Sequence, residues 1–178
     1  GPPVVLFIGT SLTAGLGLDP SQAYPQRVEE LAAAEGVPIR AVNAGLSGET
    51  SAGALRRVDW VLGRTRADVV VLETGANDGL RAFDPSTIRA NVDSLVARVR
   101  ARQPHARVML VQMEAPPNLG ARYEREFHDV FPSVANQYGI PLIPFLLEGV
   151  AGKPELNQAD GIHPTPQGAR IAARTVWG

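Results

Sequence analysis

Short apolar runs of strand length alternate along the chain with longer stretches in which apolar residues recur every three or four positions. The first kind occurs at residues 4–8 (Val-Val-Leu-Phe-Ile), 39–44, 69–72 (Val-Val-Val-Leu), 108–112 and 141–144. The second kind places Tyr24, Val28, Leu31 and Ala32 on one helical face, then Leu55, Val58 and Leu62, then Ile88, Val92, Leu95, Val96 and Val99. Two more helices are marked by Tyr123, Phe127, Val130, Phe131, Val134 and Tyr138, and by Ile171, Ala172 and Val176. Strands that are almost wholly apolar and alternate with amphipathic helices form a parallel sheet covered on both faces. The pattern therefore predicts a three-layer α/β/α sandwich around five parallel strands, in one domain spanning residues 1–178.

Local signals set the boundaries. Gly36 is placed to end the first long helix, Thr50 or Ser51 to cap the second, and Asp84-Pro85 and Thr165-Pro166 to open two others. Pro132 falls inside a helix and is expected to kink it, because proline lacks the N–H of the helical ladder. The prolines around residues 141–144 suit a strand at the sheet edge. Residues 9–15, 45–48, 73–79, 113–118 and 149–165 read as loops.

In a parallel sheet the loops that follow successive strands gather at one edge, where ligands bind. Ser11, Gly45, Asn77 and Met113 are therefore expected as neighbours despite their separation in sequence. Asp160-Gly161-Ile162-His163-Pro164 precedes the last helix. Its spacing lets the Asp160 carboxylate turn back to the His163 Nδ1, leaving Nε2 free to take a proton from a hydroxyl such as that of Ser11. Acyl transfer also needs donors for an oxyanion, and the Ser11 N–H, the Gly45 N–H and the Asn77 amide are three that loop ends could supply. A glycine at position 45 is expected to leave room for the substrate. His105 and His128 lack such a carboxylate three residues earlier in the chain and compete poorly as the base.

Composition narrows the classes. With 17 basic and 18 acidic residues in 178, and a net charge of −1, nothing favours nucleic acid as a partner. The absence of cysteine removes disulfides and thiolate nucleophiles, and no His or Asp cluster provides a metal set around Asp160 and His163. No apolar run approaches the roughly 18 residues of a membrane span, and no basic leader segment precedes Val4.

Gly9-Thr10-Ser11-Leu12, Gly45, Gly75-Ala76-Asn77-Asp78 and Asp160-Gly161-Ile162-His163-Pro164 resemble, in order, the four signature blocks of the SGNH (GDSL) hydrolase family. Ser-Gly-Glu-Thr-Ser at 47–51 and Asn-Asp-Gly-Leu-Arg at 77–81 are similar to its TesA-like branch of multifunctional esterases. The resemblance implies a flavodoxin-like fold and hydrolysis of carboxylic (aryl or acyl) esters, acyl thioesters or lysophospholipids, with no cofactor or metal. It implies Ser11 as nucleophile, His163 as base and Asp160 as its acid, with Ser11, Gly45 and Asn77 around the oxyanion. It also implies a periplasmic or exported protein, expected as a monomer, although the visible sequence leaves a cytoplasmic location open. Thr10 stands where the family usually carries aspartate, which puts the hydrogen bonding of the nucleophile turn in question.

Leu12, Leu46, Leu80, Phe83, Met113, Pro116, Pro117 and Ile162 are the expected walls of the substrate site. Two other readings stay open at this point: a carbohydrate O-acetylesterase using the same residues, and a non-catalytic binding domain on the same fold. A phosphate-binding reading of residues 9–15 fails for want of the P-loop lysine and of the G-x-G-x-x-G spacing.

Overall fold

The most apolar runs form the central strands, Val4–Gly9, Val69–Leu72 and Arg107–Val111, which are largely buried, whereas the strand Arg40–Gly45 at one edge is only partly covered, and the helices lie between the strands in sequence. In the computed structural model, which describes residues 1–178, the order is β1 (Val4–Gly9), α1 (Ser11–Ala14), α2 (Tyr24–Ala34), β2 (Arg40–Gly45), α3 (Ser51–Arg64), β3 (Val69–Leu72) and α4 (Ala76–Leu80). It continues with α5 (Pro85–Arg102), β4 (Arg107–Val111), α6 (Ala121–Tyr138), β5 (Leu142–Ile143) and α7 (Pro166–Trp177). The five strands are all parallel, in the order β2-β1-β3-β4-β5. This is the flavodoxin-like order, whose direction reverses between β1 and β3.

Helices α2 and α7 pack together, while α3 packs on α5 and α5 on α6. Right-handed crossovers account for the division, since the step from β1 to β2 runs opposite to every later step across the sheet. One continuous core joins the layers. Leu6, Val70, Leu72 and Leu110 are fully buried in it, and Phe7 meets Tyr24 of α2 edge to face with ring centroids 5.8 Å apart.

The register matters for function. Gly9 pairs with Gly45, Ile8 with Leu72, and Leu72 with Leu110, so four strands finish at nearly the same level. Their following segments therefore start side by side.

The structure departs from the sequence reading at several points. Residues 11–14 and 76–80, expected as loop, are one-turn helices α1 and α4. Strand β5 has only two residues, because Pro141 and Pro144 beside it carry no N–H for a ladder. Helix α6 includes Pro132, as its apolar spacing predicts. The His128 carbonyl, which residue 132 would ordinarily satisfy, instead accepts Gln112 Nε2 at 3.2 Å. The expected helix caps form: Thr50, Asp84 and Thr165 each accept a backbone N–H in the first turn, and Gly36 follows α2 at φ +76°.

Candidate active site

Strand β1 ends at Gly9, and the chain turns at once into α1 with Thr10 as its N-cap and Ser11 as its first residue. The Thr10 hydroxyl accepts the Leu12 N–H at 3.3 Å. The Ser11 N–H has no acceptor within the protein, as befits the first turn of a helix. Ser11 is 7 % exposed, and its Oγ lies 2.8 Å from His163 Nε2.

His163 reaches this position from a segment knitted to the rest by Gln158. The Gln158 N–H donates to the His163 carbonyl at 2.7 Å, and its side-chain amide donates to the Leu16 and Pro164 carbonyls at 2.8 Å. Asp160 is bound on both carboxylate oxygens. Its Oδ1 accepts the Ile162 and His163 N–H groups at 2.9 and 3.0 Å, and its Oδ2 lies 2.5 Å from His163 Nδ1. These bonds, the one from the imidazole foremost, hold the Asp160 carboxyl well below the usual carboxylate range. A carboxylate only accepts, so Nδ1 carries the proton and Nε2 is left to accept from the Ser11 hydroxyl.

Asn77 lies in α4, and its Nδ2 donates to the Glu49 carbonyl at 2.8 Å. One amide hydrogen is thereby fixed on the turn after β2 and the other is left over. The next residue, Asp78, is buried and accepts the Ser51 N–H at 2.8 Å and the Ser51 hydroxyl at 2.7 Å, which ties α4 to the start of α3. Gly75, at φ +103°, and Gly79 allow α4 to settle on the aromatic face of α6. A Cβ would stand 3.0 Å from Phe131 at position 75 and 3.1 Å from Phe127 at position 79. The glycines of this signature block thus serve packing.

The Gly45 N–H has a partner within the protein. That group donates to Asn43 Oδ1 at 2.9 Å, and a Cβ on Gly45 would come within 2.2 Å of the Ala14 nitrogen. The constraint on position 45 is thus the backbone of α1, not the approach of a substrate. The unclaimed donors of this segment lie slightly further on, where neither the Ser47 nor the Gly48 N–H has a protein acceptor. Arg57 braces the same turn: it pairs with the buried Glu49 and donates to the Ala44 carbonyl at 2.7 Å.

A cleft of about 320 Å³ opens beside Ser11 and His163. Of the expected walls, Leu12, Leu80, Met113, Pro116, Pro117 and Ile162 line it. Leu46 and Phe83 do not: Leu46 sits in a separate depression with Arg56 and Arg81, while the Phe83 carbonyl accepts the Tyr123 hydroxyl and its ring faces Arg81. Phe145 and Leu147 complete the walls. They follow β5 in a segment without periodicity, so no sequence signal marked them. His128 does acquire a carboxylate, Glu114 at 2.9 Å, supplied by a different loop rather than by its own helix. No hydroxyl lies within hydrogen-bond reach of that imidazole.

A hydroxyl, an imidazole and a carboxylate in series, set at the switch point of a doubly wound sheet, form the constellation of serine hydrolases. Residues 7–171 match the GDSL-like lipase/acylhydrolase family, and the chain belongs to that family, an ester hydrolase of the SGNH type. It is 41 % identical over 173 residues to Esterase TesA of Pseudomonas aeruginosa, covering 97 % of this chain and 85 % of that protein. It is 35 % identical over 160 residues to thioesterase 1/protease 1/lysophospholipase L1 of Escherichia coli K12, covering 90 % of this chain and 74 % of the relative. Among solved structures, the psychrotrophic esterase EstA from Pseudoalteromonas sp., inhibited by monoethylphosphonate, superposes with a TM-score of 0.91 at 32 % identity. That match covers 98 % of this chain and 94 % of the other.

Proposed function

We propose that the chain hydrolyses carboxylic esters of apolar acyl or aryl groups through an acyl-enzyme on Ser11. The observation that carries this reading is the 2.8 Å contact between Ser11 Oγ and His163 Nε2, with Asp160 bonded behind the imidazole. Ser11 Oγ attacks the acyl carbonyl as its proton passes to His163 Nε2, and Asp160 steadies the imidazolium that forms. The oxyanion is met by the Ser11 N–H and the free hydrogen of the Asn77 amide. The imidazolium gives its proton to the departing alcohol, and water, deprotonated by the same imidazole, then releases the acid and restores the serine.

Apolar walls around the cleft support an apolar acyl group. Each methylene buried contributes about 0.8 kcal/mol, or roughly four-fold in kcat/KM. A series of p-nitrophenyl esters from acetyl to palmitoyl should therefore climb in kcat/KM and then level off once the cleft is full. A flat or falling series with fast release of acetate from an acetylated sugar would favour an O-acetylesterase instead. Turnover no faster in the wild type than in Ser11→Ala on every substrate would sink the mechanism. The phosphonate-inhibited relative supplies a second arm, since a fluorophosphonate should add one phosphonyl group to Ser11, read by mass spectrometry. Thioesters such as palmitoyl-CoA belong to the same proposal, as the attack is the same and only the leaving atom differs. So does the periplasmic setting, which fractionation of the native host tests.

A further inference from the structure

The proposed mechanism leaves one buried ionisable group without a role. Glu73, the residue after β3, is 1 % exposed and lies against the turn that carries Ser11. Its Oε1 accepts the Thr10 N–H at 3.0 Å and the Thr13 hydroxyl at 2.9 Å. The Thr10 hydroxyl lies 2.8 and 2.9 Å from the two carboxyl oxygens. The Tyr24 hydroxyl stands 2.7 Å from Thr13 Oγ1, and since the single Thr13 proton goes to Glu73, it is Tyr24 that donates there. The carboxyl therefore grips α1 on both sides of Ser11.

That grip has something to do. A helix of four residues has the cost of nucleation and almost none of the gain of propagation, so its shape must be imposed from outside. Glu73 is suited to impose it, because its own N–H donates to the Ile8 carbonyl of β1 at 2.9 Å. A rigid path thus runs from the central strands through the Glu73 side chain to Thr10 and Thr13, and so to Ser11. The space is filled, since a Cβ on Gly9 would fall 2.0 Å from Thr13 Oγ1 and 2.8 Å from Glu73 Oε1. No cation pairs with Glu73, and the nearby Arg57 is engaged with Glu49. Neutral donors alone offset the burial of this group.

We propose that Glu73 is a positioning residue of the hydrolytic reaction, which by holding Thr10 and Thr13 aims Ser11 Oγ at His163 Nε2 and so sets turnover rather than substrate capture. The proposal rests on the reading of Ser11 as nucleophile. Glutamine at this position would keep an oxygen for the Thr10 N–H and the two hydroxyls, with its amide nitrogen beside Thr10 Oγ1. Leucine would keep the volume and lose the grip.

The test is kcat and KM on p-nitrophenyl butyrate for wild type, Glu73→Gln, Glu73→Leu, Thr13→Val and Ser11→Ala, with folding followed by circular dichroism. Glu73→Leu should lower kcat about 10²-fold, the scale of a misplaced reacting atom, with KM within about two-fold. Glu73→Gln should restore kcat to within about five-fold of wild type, and Thr13→Val, which removes one strut and leaves Glu73 in place, should fall between. Wild-type kcat in folded Glu73→Leu or in Thr13→Val overturns the proposal, as does a Gln variant as slow as the Leu variant. If Glu73→Leu does not fold, Thr13→Val decides. Full activity in Ser11→Ala overturns the underlying reading instead, so the two failures are distinct.

Discussion

Ser11 is held in a turn whose neighbours are both committed to one carboxyl, and that carboxyl is an unusual acid. Burial pushes Glu73 up to about 7 from an ordinary value near 4.5, against the opposing effect of its bonds from Thr10 and Thr13. The folded state therefore holds this proton more tightly than the unfolded chain does. Its contribution to stability is complete below about pH 4.5, declines as pH rises, and reaches its minimum above about pH 7. The whole change amounts to at most about 3 kcal/mol. Glutamine does not titrate, so the stability of Glu73→Gln relative to wild type should improve between pH 5 and pH 8, measured by urea unfolding at both values. A difference independent of pH would remove Glu73 from this account. The same network answers the question raised by Thr10, which here gives its N–H and hydroxyl to Glu73 and caps α1.

Among the elements, the short helix α4 depends most on its partners. Five residues do not hold a helix alone, and Asn77 faces the site because Asp78 beside it is locked onto the N-terminus of α3. Asn91 of α5 extends the lock, with Nδ2 3.1 Å from the Ser51 hydroxyl. Replacing Asp78 by Ala leaves the buried Ser51 N–H and hydroxyl with less than their full set of partners, at a cost of about 1–3 kcal/mol. The variant should lose that much in chemical denaturation and lose kcat as well, since the Asn77 amide is released. Unchanged stability would show that water replaces the carboxylate without penalty. Gly45 teaches the complementary lesson. Its place in a signature block suggested a donor, and the structure adds a second reason for glycine, a contact between β2 and α1 that no side chain can enter.

Across the whole molecule the cleft is assembled from segments that share no local pattern. The loop after β4 supplies Pro116 and Pro117, the segment after β5 supplies Phe145 and Leu147, and the stretch before α7 supplies Ala151 and Ile162. Ala151 is exposed at this rim, so tryptophan there should narrow the cleft without disturbing the core. The expected result is a selective drop in kcat/KM for octanoyl and longer p-nitrophenyl esters, by about fifteen-fold for two methylenes displaced, with acetyl ester nearly unchanged. An equal drop for all lengths would mean that the acyl group lies elsewhere.

The alternation of apolar runs and amphipathic stretches determined the layers and the strand count, because a strand buried on both faces and a helix buried on one have different periods. Caps at Thr50, Asp84 and Thr165 were equally legible, each being a local bond within one turn. Ser11, His163 and Asp160 stood out through residue types and spacing, the last two because a three-residue step lets one side chain reach the other. Tertiary structure alone decided the rest. It turned two expected loops into helices by bonding one to Glu73 and the other, through Asp78, to Ser51, and it brought Gln112 to the carbonyl left without a partner by Pro132. It also gave the Gly45 N–H to Asn43 and moved Leu46 and Phe83 out of the cleft. Those outcomes depend on which groups from distant segments come within about 3 Å, and no period in the sequence encodes such a distance.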